Sequence, residues 1–286
     1  METQNKRSAA LYMVLSALSF SLMQLLVKST AKILPLFEQV FVRNFVVIMM
    51  MLYSLYKYKN MDKLRVDKDV RGALLLRSFC GFMGIVLFFN AMRNINLADA
   101  AALQKCSPFF VMLFSSLILK EKLTKAKMIA ISTAFVGVLL IVKPQFDSAV
   151  LPSVLALCSA MFSGMAYTMI AFMKNKVHSH VIIFYFSLFS CLLCIPLMIP
   201  TFIVPTPYLM AVMLAIGILG GLGQTFLTSA YKLAVAGEVS VYNYSNIVFS
   251  ALAGYFIFGE VLDVYSMFGI LLIIVSGIGV YMFNKE

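Results

Sequence analysis

The sequence contains no tryptophan, two histidines and five cysteines, and only 12 of its 286 residues are acidic. It holds no G-x-x-x-x-G-K-[ST] run, so it has no phosphate loop with which to hydrolyse ATP. H-E-x-x-H and G-x-S-x-G are absent too, which removes the usual starting points for a membrane protease or a lipase. His178 and His180 share one short loop with Lys174 and Lys176 and are too few to hold a metal ion. Cys80, Cys106, Cys158, Cys191 and Cys194 all fall in apolar runs, where a thiol behaves as a small apolar side chain. Cys191 and Cys194 have the C-x-x-C spacing without a βαβ context, so neither redox chemistry nor metal binding is read from them. The chain is not expected to be an enzyme or to need a cofactor.

Charge is scarce as well. Only 12% of residues are charged against 62% hydrophobic, and the mean hydropathy of +0.95 exceeds what a water-soluble core can hide. A helix needs roughly 17–25 apolar residues to cross the hydrocarbon layer. Ten runs approach or meet that length: Ala9–Val27, Glu38–Tyr56, Gly72–Met92, Leu97–Leu119, Lys127–Val142, Leu151–Met173, His180–Pro200, Tyr208–Tyr231, Glu238–Phe258 and Tyr265–Phe283. The expected fold is an all-α membrane protein with ten transmembrane helices. Its one long hydrophilic segment, Lys57–Arg71, is a loop of mixed charge suited to anionic lipid headgroups.

The net charge of +11 raises the question of nucleic acid, but the distribution answers it. With the N-terminus in the cytoplasm, sixteen of the 23 Lys and Arg residues fall on inner segments and four on outer ones; Arg43, Arg77 and Lys105 lie within spans. That bias sets topology, placing both termini in the cytoplasm of a plasma (inner) membrane. No nucleic-acid partner is expected. Met1–Val27 reads as an uncleaved anchor, because no small-x-small cleavage site follows it.

One stretch occurs twice. Asp99–Lys127 lies over Glu238–Ser266 without a gap, pairing Asp99 with Glu238, Gln104 with Asn243, Phe110 with Phe249, Glu121 with Glu260 and Leu123 with Leu262. A fixed-distance echo across half a chain marks an internal duplication. Pro144 and Pro152 bracket the junction, giving repeats at 1–145 and 146–286. Five spans per repeat force the second to run upside down, and the loops agree: four lysines follow span four, whereas Gly259–Asp263 has none. Inverted repeats of this kind recur in secondary transporters, with the solute held between the halves near the midplane.

These residues resemble the EamA family of the drug/metabolite transporter superfamily. The likeness rests on Leu-Lys-Glu at 119–121, Phe-Gly-Glu at 258–260, the glycine-bearing helix after each, Phe37-Glu38 before Arg43, and Arg77 before Leu97-Ala98-Asp99-Ala100. It covers essentially the whole chain. The resemblance implies a compact ten-helix bundle around a cavity that opens alternately to each side, and solutes ranging from amino acids to nucleoside-like metabolites such as S-adenosylmethionine. The first copy departs by having Lys120 where the second has Gly259, so the two turns are expected to cap differently.

An ionisable group within hydrocarbon costs about 2.5–3.5 kcal/mol and therefore faces a cavity or a partner. Lys105 lies roughly 10–12 Å inside span four by helix rise. It is either a solute or coupling group, favouring an anionic moiety, or the partner of a carboxylate such as Asp99 or Glu38. Gln104 beside it and Tyr242, Asn243, Tyr244 and Asn246 in the second copy form two polar patches, read as solute contacts or as interhelical hydrogen bonds. Gln224, Gln24 and Tyr167 are further solute-binding candidates. Arg77 is near enough to the inner face to snorkel, but the family resemblance favours a functional role. Glu38 and Arg43 are read as a pair that orients span two, with proton coupling as the alternative. Asp99, Glu238, Glu121 and Glu260 are expected to cap helices. The glycines are read as packing contacts.

The function expected is a secondary active transporter of a small polar metabolite. A sugar-phosphate or nucleotide-sugar antiporter and a lipid flippase are the alternatives. Its partners are the solute and membrane lipids, and a second copy of the chain is left open.

Overall fold

The structure is a computed structural model that describes residues 2–118, 120, 124–142, 150–173, 176–233 and 241–283. These residues are helical, with no strand among them. The helices are α1 (Glu2–Ser29), α2 (Leu36–Lys57), α3 (Lys68–Met92), α4 (Leu97–Gln104), α5 (Ser107–Ile118), α6 (Lys125–Val142), α7 (Val150–Phe172), α8 (Ser179–Met198), α9 (Pro207–Leu233), α10 (Ser245–Phe258) and α11 (Val264–Phe283). Two short 3-10 turns, Met61–Leu64 and Val241–Tyr244, matter for the loops and the site. Seven stretches are long and apolar enough to cross a bilayer: α1, α2, α3, α4 with α5, α7, α8 and α9; Met128–Ile141 and Val264–Ser276 are apolar but shorter.

The fourth span differs from the expected continuous helix Leu97–Leu119. It breaks at Lys105 and Cys106, between α4 and α5. The cause is Pro108, whose ring would strike the carbonyl of the residue four positions back, Gln104, and which supplies no N–H. Pro108 is the second residue of α5, in the first turn, where a missing N–H costs no intrahelical bond.

Helix packing comes in matched sets. The closest neighbours are α1 with α9, α3 with α7, α6 with α11 and α2 with α8. Each of these pairs joins a helix before residue 145 to one after it. At the α6–α11 crossing the backbones touch: a Cβ on Gly137 would stand 2.7 Å from the Gly269 carbonyl, and one on Gly269 would stand 2.6 Å from the Gly137 carbonyl.

The bundle is apolar outside and mixed within. Leu117, Val204, Phe256 and Met282 project outward, whereas Ser16, Asn44, Ser159, Thr168, Ser190 and Ser250 are buried. Outward apolar surface on this scale would aggregate in water and is natural against lipid. Buried hydroxyls tie helices together: Ser16 donates to the Gly223 carbonyl at 2.8 Å, joining α1 to α9.

The two positions expected to cap differently both have a positive φ. Lys120 has φ of 57° and Gly259 has φ of 65°, both left-handed. Gly259 closes α10 with its N–H on the Tyr255 carbonyl at 3.1 Å. The duplication thus persists in backbone geometry where the side chain has diverged.

Candidate functional site

The break between α4 and α5 falls at Lys105 and Cys106. Lys105 is buried, and its ammonium donates to Asn243 Oδ1 at 3.0 Å. The carboxylate partner considered from sequence is thereby replaced by a neutral amide from the other repeat. Asn243 is the counterpart of Gln104, the residue before Lys105, and sits in the 3-10 turn preceding α10. Gln104 itself donates to Ser163 Oγ at 2.9 Å.

Beside this junction lies a cavity of about 80 Å³, lined by Gln24, Arg43, Arg77, Gln104, Lys105, Tyr167, Phe186 and Gln224 among others. That volume holds several waters. It is small against the roughly 300–1,000 Å³ of a drug-sized ligand site. Seven of the twelve sequence candidates meet in its lining, drawn from α1, α2, α3, α7, α9 and the end of α4.

Arg77 does not snorkel. It is 2% exposed, and its guanidinium lies 4.5 Å from the centre of the Phe186 ring. Arg43 is 1% exposed, 5.8 Å from the same ring, and donates to Asn44 Oδ1 at 2.9 Å. The expected Glu38–Arg43 pair does not form: Glu38 Oε2 accepts the Ile203 N–H at 3.4 Å near the start of α2. Two glycines make the arrangement feasible. A Cβ on Gly81 would stand 2.2 Å from Arg77 Nη1, and one on Gly220 would stand 2.8 Å from Arg43 Nε. For these two the packing role expected from sequence gives way to housing a guanidinium.

The electrostatics are one-sided. Three cations and no Asp or Glu line the cavity. An unpaired buried charge costs several kcal/mol, and a cation–π contact returns about 0.5–2 kcal/mol. The Nε atoms of Arg43 and Arg77 and Oε1 of Gln224 are buried without a hydrogen-bond partner among the described residues.

The remaining candidates play other parts. Asn246 donates to the Ala17 carbonyl at 2.9 Å, and Gln24 Oε1 accepts from Ser250 at 3.1 Å, so both join α10 to α1. Tyr244 is buried, whereas Tyr242 is 43% exposed and lies off the cavity. Asp99 occupies the first turn of α4, whose N-cap is Asn96. Glu121 and Glu238 lie outside the described residues. Glu260 caps a helix, but not the following one: its Oε2 accepts the Leu97 N–H at 2.7 Å, and its Oε1 pairs with Lys28. Lys28 also donates to the Ile95 carbonyl at 2.7 Å, closing one end of the bundle across both halves.

Phe186, Ser163, Gly81 and Gly220 were not singled out for the site from sequence. Pro108 was the readable sign of the break; Phe186 carried no signal, being one of 25 phenylalanines. The rings of His178 and His180 lie 5.1 Å apart and tilted by 49°, and the described residues contain no metal-binding group of three.

A lipid-facing helical bundle whose two related halves enclose a charged cavity is built as a solute carrier. Residues 7–143 and again 151–282 match the EamA-like transporter family, and the chain belongs to it. Its relatives include the pseudopaline exporter of Pseudomonas aeruginosa, 36% identical over 281 residues covering 98% of both chains. An uncharacterized transporter of Helicobacter pylori is 30% identical, covering 93% of this chain and 91% of that one. The S-adenosylmethionine uptake transporter of Rickettsia prowazekii is 22% identical over 219 residues, covering 74% and 72%. A crystal structure with TM-score 0.70 and 17% identity over 98% of both chains shares the fold. The chain is a multi-pass membrane transporter, not an enzyme.

Proposed function

We propose that this chain is a secondary active carrier that moves a small polar metabolite, an amino acid or a nucleoside-like molecule, by alternating access. The ten apolar runs act as ten spans, with repeats 1–145 and 146–286 inverted in a plasma (inner) membrane and both termini cytoplasmic. The observation that carries this reading is the Lys105–Asn243 bond, which joins a broken helix of one repeat to the matching turn of the other at the cavity edge. Rocking of the halves would part or re-form such a contact and enlarge a cavity now about 80 Å³. One chain contributes both halves of the cavity, so transport needs no second copy.

Relatives named as an exporter and as an uptake transporter indicate that this scaffold serves either direction. The test is flux in proteoliposomes of the purified chain. Solute-dependent uptake or counterflow that Lys105→Ala removes, at unchanged reconstitution, supports the carrier. Strict dependence on internal solute would identify an antiporter, and movement of labelled lipid without solute flux would identify a flippase.

A further inference from the structure

We propose that the cargo carries at least two anionic groups, carboxylate or phosphate. One is gripped by Arg43 and Arg77 above Phe186, and another is met by Lys105. This rests on the carrier reading and narrows it, replacing a general polar metabolite by a multivalent anion.

The argument is one of missing counter-charge. Arg43 and Arg77 approach the same Phe186 ring, so the two guanidiniums are neighbours despite their repulsion. Gly81 and Gly220 leave the space they occupy. No carboxylate among the described residues lines the cavity beside them. Glu38 is turned to Ile203, Glu260 is held by Lys28 and Leu97, and Asp99 lies in the first turn of α4 outside the lining. Tyr167 and Gln224 face the same space but supply dipoles, not charge. Both Nε atoms are buried and unpartnered, and a planar guanidinium fork matches a carboxylate or phosphate edge. Lys105 spends one of its three donors on Asn243 and sits in the same lining. Gln24, Gln104 and Gln224 supply amides for the uncharged remainder.

The test uses full-length purified protein, with thermal shift for binding and proteoliposome exchange for transport. The probes are citrate, fructose 1,6-bisphosphate, glutamine, glucose and S-adenosylmethionine. Citrate or fructose 1,6-bisphosphate is expected to raise the melting temperature; which of them does so distinguishes the carboxylate from the phosphate. Arg77→Gln is expected to weaken that binding roughly 10- to 100-fold, with Arg77→Lys recovering part. Arg43→Gln serves in its place if Arg77→Gln does not fold. The proposal is overturned if neither anion shifts the wild type, if glutamine, glucose or S-adenosylmethionine matches them, or if the shift survives both arginine variants. Exchange of neutral or cationic solute without anion exchange would leave the carrier standing and remove the anion site. Anion binding without exchange of any probe would do the reverse.

Discussion

Lys105 and Asn243, 138 positions apart, meet through a 3.0 Å hydrogen bond from ammonium to amide oxygen. Asn243 is the duplicate of the residue beside Lys105, so the contact is nearly one between equivalent points of two copies. A hydrogen bond to a charged group is worth about 1.5–3 kcal/mol. Lys105→Ala is expected to abolish or strongly lower flux, and Asn243→Ala to lower it by roughly tenfold. In a double-mutant cycle the two losses should be less than additive; full additivity would mean that the bond plays no part in transport.

Lys28 and Glu260 close one end of the bundle across the halves. Glu260→Gln is expected to loosen that end. A cysteine placed at Gln24 in a cysteine-free background should then react faster with an impermeant thiol reagent added from the Lys28 side. The exchange Lys28→Glu with Glu260→Lys should restore the slow rate. Equal reactivity in all three proteins would show that the pair does not gate access.

Gly81→Ala places a Cβ where it would lie 2.2 Å from Arg77 Nη1. Alanine ordinarily stabilises a helix by about 0.5–1 kcal/mol over glycine. Here it is expected to insert normally but to displace the guanidinium and lower flux, read at equal protein in the membrane. Wild-type flux would mean that Arg77 has other places to lie.

Pro108→Ala removes the cause of the break after Gln104. The span is expected to straighten, with a higher melting temperature and reduced flux. A variant that keeps both wild-type values would show that tertiary packing alone holds the break.

Gly259→Ala at φ of 65° is expected to lower stability by about 1 kcal/mol. Lys120→Gly, at φ of 57°, should raise it by a similar amount. Melting temperatures of the two variants check the signs.

Much of this was legible in one dimension. Apolar runs reported a membrane helical bundle because each such helix must satisfy its own backbone within lipid. The echo between Asp99–Lys127 and Glu238–Ser266 reported two halves, since a gapless repeat needs no folding to be seen. Cost in hydrocarbon marked Lys105 as a residue needing a purpose, whereas Arg77 was favoured by the family resemblance.

Partner choice was another matter. The sequence by itself determined the class of protein, the duplication and the short list of polar side chains. Only the tertiary structure decided that Lys105 meets Asn243 and not a carboxylate, that Glu38 leaves Arg43, that Arg77 turns inward onto Phe186, and that Glu260 caps a helix of the opposite half. Periodicity and hydropathy are properties of neighbours along the chain. Which charge stands beside which ring depends on how helices far apart in sequence are brought into register, and no local pattern encodes that.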